Sequence, residues 1–510
     1  MLTHVISGAV LGVNAYLVRV EADVASGLPS FSTVGLPHGA VKEGKDRVVA
    51  AVKNSGFSVP PRRITVNLAP ANVRKEGTSF DLPIAIGILA STGQLRSERL
   101  DSFVLLGELG LDGRLRPIRG ALPVAVTVRQ KGLTGLIVPY ENVHEASVVE
   151  GIEVRGARTL SEVAAFLEGR APLPRGRRDF QAAESNAAHG ADDFADVSGQ
   201  EHAKRALEIS AAGGHSILMI GSPGSGKTML ARRLPSILPS MTLEEAVEST
   251  KIHSVAGLLG NDSSLISRRP FRAPHHTVSD AGLIGGGSNP RPGEASLAHN
   301  GVLFLDELPE FRRNVLEALR QPLEDGRVTI ARAGMSLTYP ARFMLAVAMN
   351  PCPCGYFGDP KRSCTCSPLM VQRYLARVSG PLLDRIDMHI EVPPLKHDEL
   401  LEKKVGESSA SIAARVMAAR LAQRERFEKV PGVYANAHLK AAEIQRFCTV
   451  PSAADALLRQ AITKLGLSAR AYHRVLKIAR TIADLESRST IASDDVAEAI
   501  QYRSIDRLVR

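Results

Sequence analysis

Gly221-Ser222-Pro223-Gly224-Ser225-Gly226-Lys227-Thr228 is the stretch on which the reading of this chain turns. It satisfies the pattern G-x-x-x-x-G-K-[ST], and its surroundings suit that pattern. Ser216–Ile220 is a short apolar run that predicts a strand, and Thr228–Leu234 continues as a helix. Glycines let the chain turn tightly enough for successive backbone N–H groups to face a phosphate, and the helix N-terminus adds partial positive charge. Lys227 would then meet the β- and γ-phosphates of a nucleotide, and Thr228 would ligate Mg²⁺. Farther along, the apolar run Gly301-Val302-Leu303-Phe304-Leu305 ends in Asp306 and Glu307. Paired with the phosphate loop, this strand end offers Asp306 to the magnesium shell and Glu307 as general base for the attacking water. Another apolar strand, Met344–Ala348, ends in Met349-Asn350. A polar side chain there can orient water, although spacing alone does not give Asn350 that role.

Outward from this site the chain reads as three blocks. Residues 1–168 are mixed α/β, with strands expected at His4–Val10, Tyr16–Val20, Ile64–Leu68, Phe103–Leu106 and Gly135–Val138. Helices are expected over Ala40–Ser55, where Val41, Val48, Val49 and Val52 share a face before Gly56, and over Asp81–Ala90. Residues 169–195, rich in Pro, Gly, Ala, Ser and charge, read as a linker. The α/β nucleotide-binding core spans 196–395, and 396–510 is helical, punctuated by Pro431-Gly432 and Pro451.

The chain has 510 residues, 44% of them hydrophobic and 23% charged, which excludes wholesale disorder. No apolar run approaches the roughly 18 residues of a membrane span, and the N-terminus has no basic segment followed by an apolar one. The expected location is the cytoplasm. The net charge of +10 is uneven: residues 401–510 hold 19 Lys and Arg against 12 Asp and Glu. A basic terminal domain suits a polyanion such as nucleic acid, and equally a solvated helical surface.

Several long segments together resemble the magnesium-chelatase-like AAA+ ATPases. They are DVSGQEHAKRALEISAAGGHSILMIGSPGSGKTMLA from Asp196, RPFRAPHHTVSDAGLIGGG from Arg269, GVLFLDELPEF from Gly301, AMNPCPCG from Ala348 and GPLLDRID from Gly380. The resemblance covers essentially the whole chain. It implies an α/β AAA+ core with a C-terminal helical lid, ATP and Mg²⁺ as cofactors, and assembly into a ring, a hexamer being expected. For the nearest part of that family it implies a ring-shaped DNA motor, a branch-migration helicase acting in recombination during natural transformation, on single-stranded or branched DNA. It also implies roles that spacing does not: Asn350 at the first sensor position, Arg385 as the arginine finger acting on a neighbour's nucleotide, and Arg470 as the second sensor in the lid, with Arg474 one turn later as the alternative.

The first block resembles the Lon-type protease domain, an α+β fold. Lys75-Glu76-Gly77-Thr78-Ser79-Phe80-Asp81 falls on that family's nucleophile segment, with Ser79 at the nucleophile. Where the family has its catalytic lysine, this chain has Leu122. A serine hydroxyl needs a base to attack, so the expectation is a retained fold without proteolysis, serving assembly or DNA contact.

Cys352, Cys354, Cys364 and Cys366 place four of the five cysteines within 15 residues. In a cytosolic chain this clustering suggests a structural Zn²⁺ site, or else reduced thiols, rather than disulfides. Val328–Arg342 predicts a hairpin turning at Ala333-Gly334; by the same resemblance it is a channel hairpin, with Arg332 near its tip contacting DNA phosphates. The insert between Thr228 and Asp306 carries Arg268, Arg269, Arg272, His275 and His276, and reads as a DNA-contacting or merely solvated loop. Two other functions remain open: a chelatase-type motor driving metal insertion through partner subunits, and a protein-remodelling ATPase.

Overall fold

The computed structural model describes residues 2–73, 75, 77–176, 192–260, 265–287, 290–332, 335–394, 406–465 and 468–503. The chain divides into two compact units, residues 1–186 with 243–267, and residues 187–242 with 268–510.

The first unit is built on a sheet whose strands alternate buried and accessible residues. β1 (Leu2–Leu11) and β2 (Asn14–Ala25) form an antiparallel hairpin in which Leu11 pairs with Asn14, and Gly12 takes a φ of 64° in the two-residue turn. β3 (Ser30–Val34), β4 (Arg63–Ala69), β5 (Phe103–Leu105), β8 (Gly135–Pro139) and β9 (Glu153–Ala157) complete the order β3-β4-β2-β1-β5-β8-β9. A small hairpin, β6 (Glu108–Leu109) with β7 (Leu115–Arg116), stands apart. Helix Asp81–Ser91 is buried along its whole length, which is why its sequence is apolar on every side. Residues 171–176 are not free linker: Leu173 is buried, Arg155 Nη1 donates to the Leu173 carbonyl at 2.8 Å, and Gly156 N donates to the Pro174 carbonyl at 3.0 Å. Residues 177–191 lie outside the described residues.

The second unit has a five-stranded, all-parallel sheet. Its strands are β10 (Ile217–Ile220), β11 (Phe271–Arg272), β14 (Val302–Leu305), β17 (Met344–Met349) and β18 (Met388–Glu391), in the order β11-β14-β17-β10-β18. β10, β14 and β17 are buried at every residue, as strands covered on both faces must be. Two short antiparallel pairs lie outside this sheet: β12 (Gly285–Gly286) with β13 (Arg291–Pro292), and β15 (Arg327–Arg332) with β16 (Met335–Pro340). From Ser409 onward the described residues are helical, and Val416, Val475, Ile482 and Val496 join Ile217, Met219 and Phe304 in one apolar core. The second unit is therefore a parallel-sheet α/β core with a C-terminal helical region, the architecture that the resemblance implies. No helix among the described residues is long and apolar enough to cross a membrane.

Candidate active site

Strand order alone gathers the site. In open parallel sheets ligands bind beyond the carboxyl ends of the strands, and here β10 lies beside β17, which lies beside β14. Ile220 pairs with Met349 and Leu305 with Val347, so the residues that follow, Gly221, Asn350 and Asp306, emerge at one edge.

Gly221 N donates to the Met349 carbonyl at 3.3 Å, starting a loop in which Gly224 and Gly226 take φ of 79° and 88°, a region that side chains disfavour. Helix Lys227–Ile237 follows at once. Lys227 is buried, and its Nζ donates to the carbonyls of Gly221 (2.8 Å) and Ser222 (3.0 Å) and to Asn350 Oδ1 (3.3 Å). Burial pushes the Lys227 ammonium below the usual lysine range, against an opposing pull from Asp306. Pro223 and Ser225 complete the loop, and Ser225 is fully buried. Gln200, which the sequence reading passed over, donates from Nε2 to the Ser225 carbonyl at 2.6 Å and so ties the start of helix Glu201–Gly213 to the loop.

Thr228 Oγ1 donates to Asp306 Oδ2 at 2.6 Å. A hydroxyl and a carboxylate converging beside a buried lysine form a hard-oxygen donor set that fits Mg²⁺ carrying nucleotide phosphates. Glu307 follows with a φ of 54°, and its N–H closes on Asp306 Oδ1 at 2.9 Å. Its carboxylate is 3.4 Å from His276 Nδ1.

The remaining candidates are placed unevenly. Arg385 is buried; it donates from Nη1 to the Pro381 carbonyl at 2.7 Å and from Nη2 to Glu324. Arg470 lies 3.6 Å from that same Glu324 and is mostly exposed, whereas Arg474 is buried against Asp387 at 2.8 Å. Arg272 is held by both oxygens of Glu294, at 2.6 and 2.8 Å, an internal pairing that occupies the guanidinium edge a phosphate would use. His275 packs against His276 with ring centroids 4.0 Å apart and the rings tilted by 34°, so the pair stands beside the Glu307 carboxylate. The hairpin β15–β16 pairs Arg332 with Met335; the side chain of Arg332 and the turn residues Ala333 and Gly334 lie outside the described residues.

The four cysteines of the cluster converge, with all ligand atoms within 4.8 Å of one another. Their sulfur separations include 3.3 Å (Cys352–Cys354), 3.6 Å (Cys354–Cys364) and 3.7 Å (Cys352–Cys364). Four thiolates at about 2.3 Å from a tetrahedral ion stand roughly 3.8 Å apart, so this set can hold a metal. The cluster borders the phosphate loop: a Cβ on Gly355 would lie 2.5 Å from Pro223 Cδ. Cys448 is separate and buried in the helical core.

In the first unit Leu122 is fully buried among apolar side chains and donates its N–H to Glu145 Oε1 at 2.9 Å. Glu145 also accepts from Ser254, on helix Leu243–Ala256.

Comparison with known proteins agrees with this geometry. Models of magnesium chelatase subunit ChlI match residues 193–400, and further models of that subunit and of its C-terminal part match 20–142 and 406–503. The chain is 47% identical to the competence protein ComM of Haemophilus influenzae over 514 residues, covering 100% of this chain and 99% of that one. It is 46% identical to the uncharacterized protein YifB of Escherichia coli, over 98% of this chain and 97% of that one. Similarity to the 38 kDa magnesium-chelatase subunit of Rhodobacter capsulatus is 28% and spans 31% of this chain and 50% of that one. A glycine-rich loop, a carboxylate bonded to its threonine and a polar strand end on a parallel sheet, joined by full-length likeness, place the chain in the magnesium-chelatase-like family of AAA+ ATPases, among its ComM-like members.

Proposed function

We propose that the protein is a ring-forming AAA+ motor that uses ATP hydrolysis to move branched or single-stranded DNA, a branch-migration helicase of natural transformation. The observation that carries this reading is the likeness along the entire chain to a competence protein, against a partial one to a chelatase subunit. ATP with Mg²⁺ supplies the bond whose cleavage drives movement. Lys227 and the loop N–H groups bind and orient phosphates, Thr228 and Asp306 hold the magnesium shell, Glu307 takes a proton from water, and Asn350 orients that water. Arg385 serves the nucleotide of the adjoining subunit, and Arg470, which shares Glu324 with it, is the second sensor of the lid. The hairpin β15–β16 leads into β17, after which Asn350 follows at once, so hydrolysis at that strand end is linked along the chain to the hairpin.

The test is ATP-dependent movement of a labelled three- or four-stranded DNA junction. Movement by the parent protein that is lost at higher salt, as phosphate-dominated contact requires, supports the motor. No movement, together with no stimulation of ATPase by DNA, removes it and leaves a chelatase-type or protein-remodelling ATPase.

The cysteine cluster is assigned to structural zinc, which braces the phosphate loop. The chain from β17 touches that loop three times: Met349 at Gly221, Asn350 at Lys227 and Gly355 at Pro223. The parent is expected to carry zinc near one equivalent per chain by elemental analysis. Cys352→Ser with Cys354→Ser is expected to lose that metal and to weaken binding of a fluorescent ATP analogue at least several-fold. Unchanged affinity in a metal-free variant would separate the cluster from the nucleotide site.

A further inference from the structure

The segment that follows helix Ser409–Phe427 is tied down along its length, yet it holds one aromatic ring out to solvent. Val433 and Ala435 are buried on either side of Tyr434, which is 57% exposed. Arg420, on that helix, donates to the Tyr434 carbonyl at 3.1 Å and to the Ala211 carbonyl at 3.2 Å. Lys477, on helix Ala469–Leu485, donates to the Ala437 carbonyl at 2.8 Å. Buried Asn436 donates its N–H to Gln423 Oε1 at 3.1 Å and its Nδ2 to Thr481 Oγ1 at 3.0 Å. Partners from two helices thus fix the backbone beneath the ring, so its exposure is not looseness.

The guanidinium of Arg342 lies over this ring, 5.1 Å from its centroid. Arg342 stands in the short connection between β16 and β17, at the foot of the hairpin proposed to contact DNA. Its own backbone is fixed: its N–H donates to His299 Nδ1 at 3.0 Å, and its carbonyl accepts from Asn300 N at 2.7 Å. No carboxylate among the described residues pairs with its guanidinium. Positive charge gathers around the ring. His438 Nδ1 accepts the Tyr434 N–H at 3.4 Å, and burial, then the charges of Arg342, Arg420 and Lys477, push that imidazole down to about 3.

A rigidly held, accessible ring beside a guanidinium that no acid neutralises has the chemistry of a single-strand platform. Bases stack on the aromatic ring, and the cation meets the backbone phosphate. We propose that Tyr434 and Arg342 form a contact for single-stranded DNA, with Tyr434 stacking on a base and Arg342 binding an adjacent phosphate. The proposal rests on the reading of the protein as a DNA motor, and it extends the DNA track from hairpin β15–β16 to the hairpin's foot. A duplex keeps its bases stacked on one another and cannot use the ring. An acidic protein segment would engage the guanidinium and leave the ring idle.

The experiment measures fluorescence anisotropy of a labelled oligothymidylate, and of an abasic strand of equal length, with the full chain at about 0.15 M salt. The proteins are the parent, Tyr434→Ala, Tyr434→Phe and Arg342→Gln, each with its melting temperature and its assembly by size-exclusion chromatography. Tyr434→Ala is expected to weaken binding of the oligothymidylate about tenfold, as loss of one stacked base does. Tyr434→Phe, which keeps the ring, should stay within about twofold of the parent, and Tyr434→Ala should bind the abasic strand as the parent does. Arg342→Gln should weaken binding of both strands and reduce the salt slope by about 0.7, one single-strand phosphate contact. Parent-like affinity in Tyr434→Ala, equal losses in the Ala and Phe variants, or an equal loss on the abasic strand overturns the proposal. Loss of assembly with DNA affinity kept also overturns it, and makes the patch a contact between copies of this chain. A parent protein that binds no single strand would remove the motor reading itself, a failure distinct from parent-like variants.

Discussion

Arg385→Ala is expected to bind ATP and assemble like the parent while losing about three orders of magnitude in hydrolysis, the scale at which arginine fingers act. The polar partners described for Arg385 are the Pro381 carbonyl and Glu324, neither of them in the phosphate loop. Its Nε is buried with no hydrogen-bond partner among the described residues. A guanidinium that leaves part of its donor edge unused, beside a second guanidinium from Arg470 on the same carboxylate, is a cation pair under-neutralised by one acid. A phosphate from outside the chain would complete it. The decisive version mixes two inactive proteins. In a ring of Arg385→Ala and Glu307→Gln subunits, an Arg385→Ala subunit keeps a whole pocket and receives its finger from a Glu307→Gln neighbour. Recovery of ATPase on mixing is the expected outcome. Failure to recover, although the two proteins co-assemble by size-exclusion chromatography, would mean that Arg385 works within its own chain. A merely structural role would show differently: Glu324→Gln would then reproduce the loss in both activity and melting temperature.

What the sequence made legible follows from the range of the forces involved. The phosphate loop was readable because its glycines, lysine and threonine act within eight consecutive residues. β10, β14 and β17 were readable because strands buried on both faces must be continuous apolar runs. The strands of the first sheet left unpredicted, β3 (SFSTV) and β9 (EVRGA), are its two edges, where half-exposed polar residues blur the period. Helix Leu243–Ala256 was harder still. It follows the phosphate-loop helix in sequence, yet it belongs with the first unit, burying Ile252 and Ser254, the latter bonded to Glu145. Nothing in an apolar periodicity states which core it will join. Partners distant in sequence were equally hidden: Glu324 for Arg385 and Arg470, Glu294 for Arg272, and Glu307 for His276. The paired histidines were conspicuous as residues, but only the parallel pairing of β11 with β14 brings His276 to Glu307.

Glu307→Gln is expected to lower hydrolysis by about two to three orders of magnitude, the contribution of a positioned general base, with ATP affinity close to that of the parent. The two adjacent carboxylates make this a sharp test because their surroundings differ. Asp306 is engaged by Thr228 Oγ1 at 2.6 Å and by its neighbour's N–H at 2.9 Å, which suits the proposed part in holding magnesium. Glu307 turns away through its positive φ; the partner described for its carboxylate is His276, and more than half its side-chain surface is accessible. An amide at 307 keeps the shape and cannot accept the proton, so the variant should hold ATP, stay assembled, and stall on DNA. An amide at 306 weakens magnesium binding instead, so Asp306→Asn should raise KM for ATP and shift the Mg²⁺ dependence upward. If the two variants exchanged these phenotypes, with Glu307→Gln losing affinity and Asp306→Asn losing only turnover, the assignments would have to be reversed. The Thr228–Asp306 bond would then mark a proton path rather than a metal site.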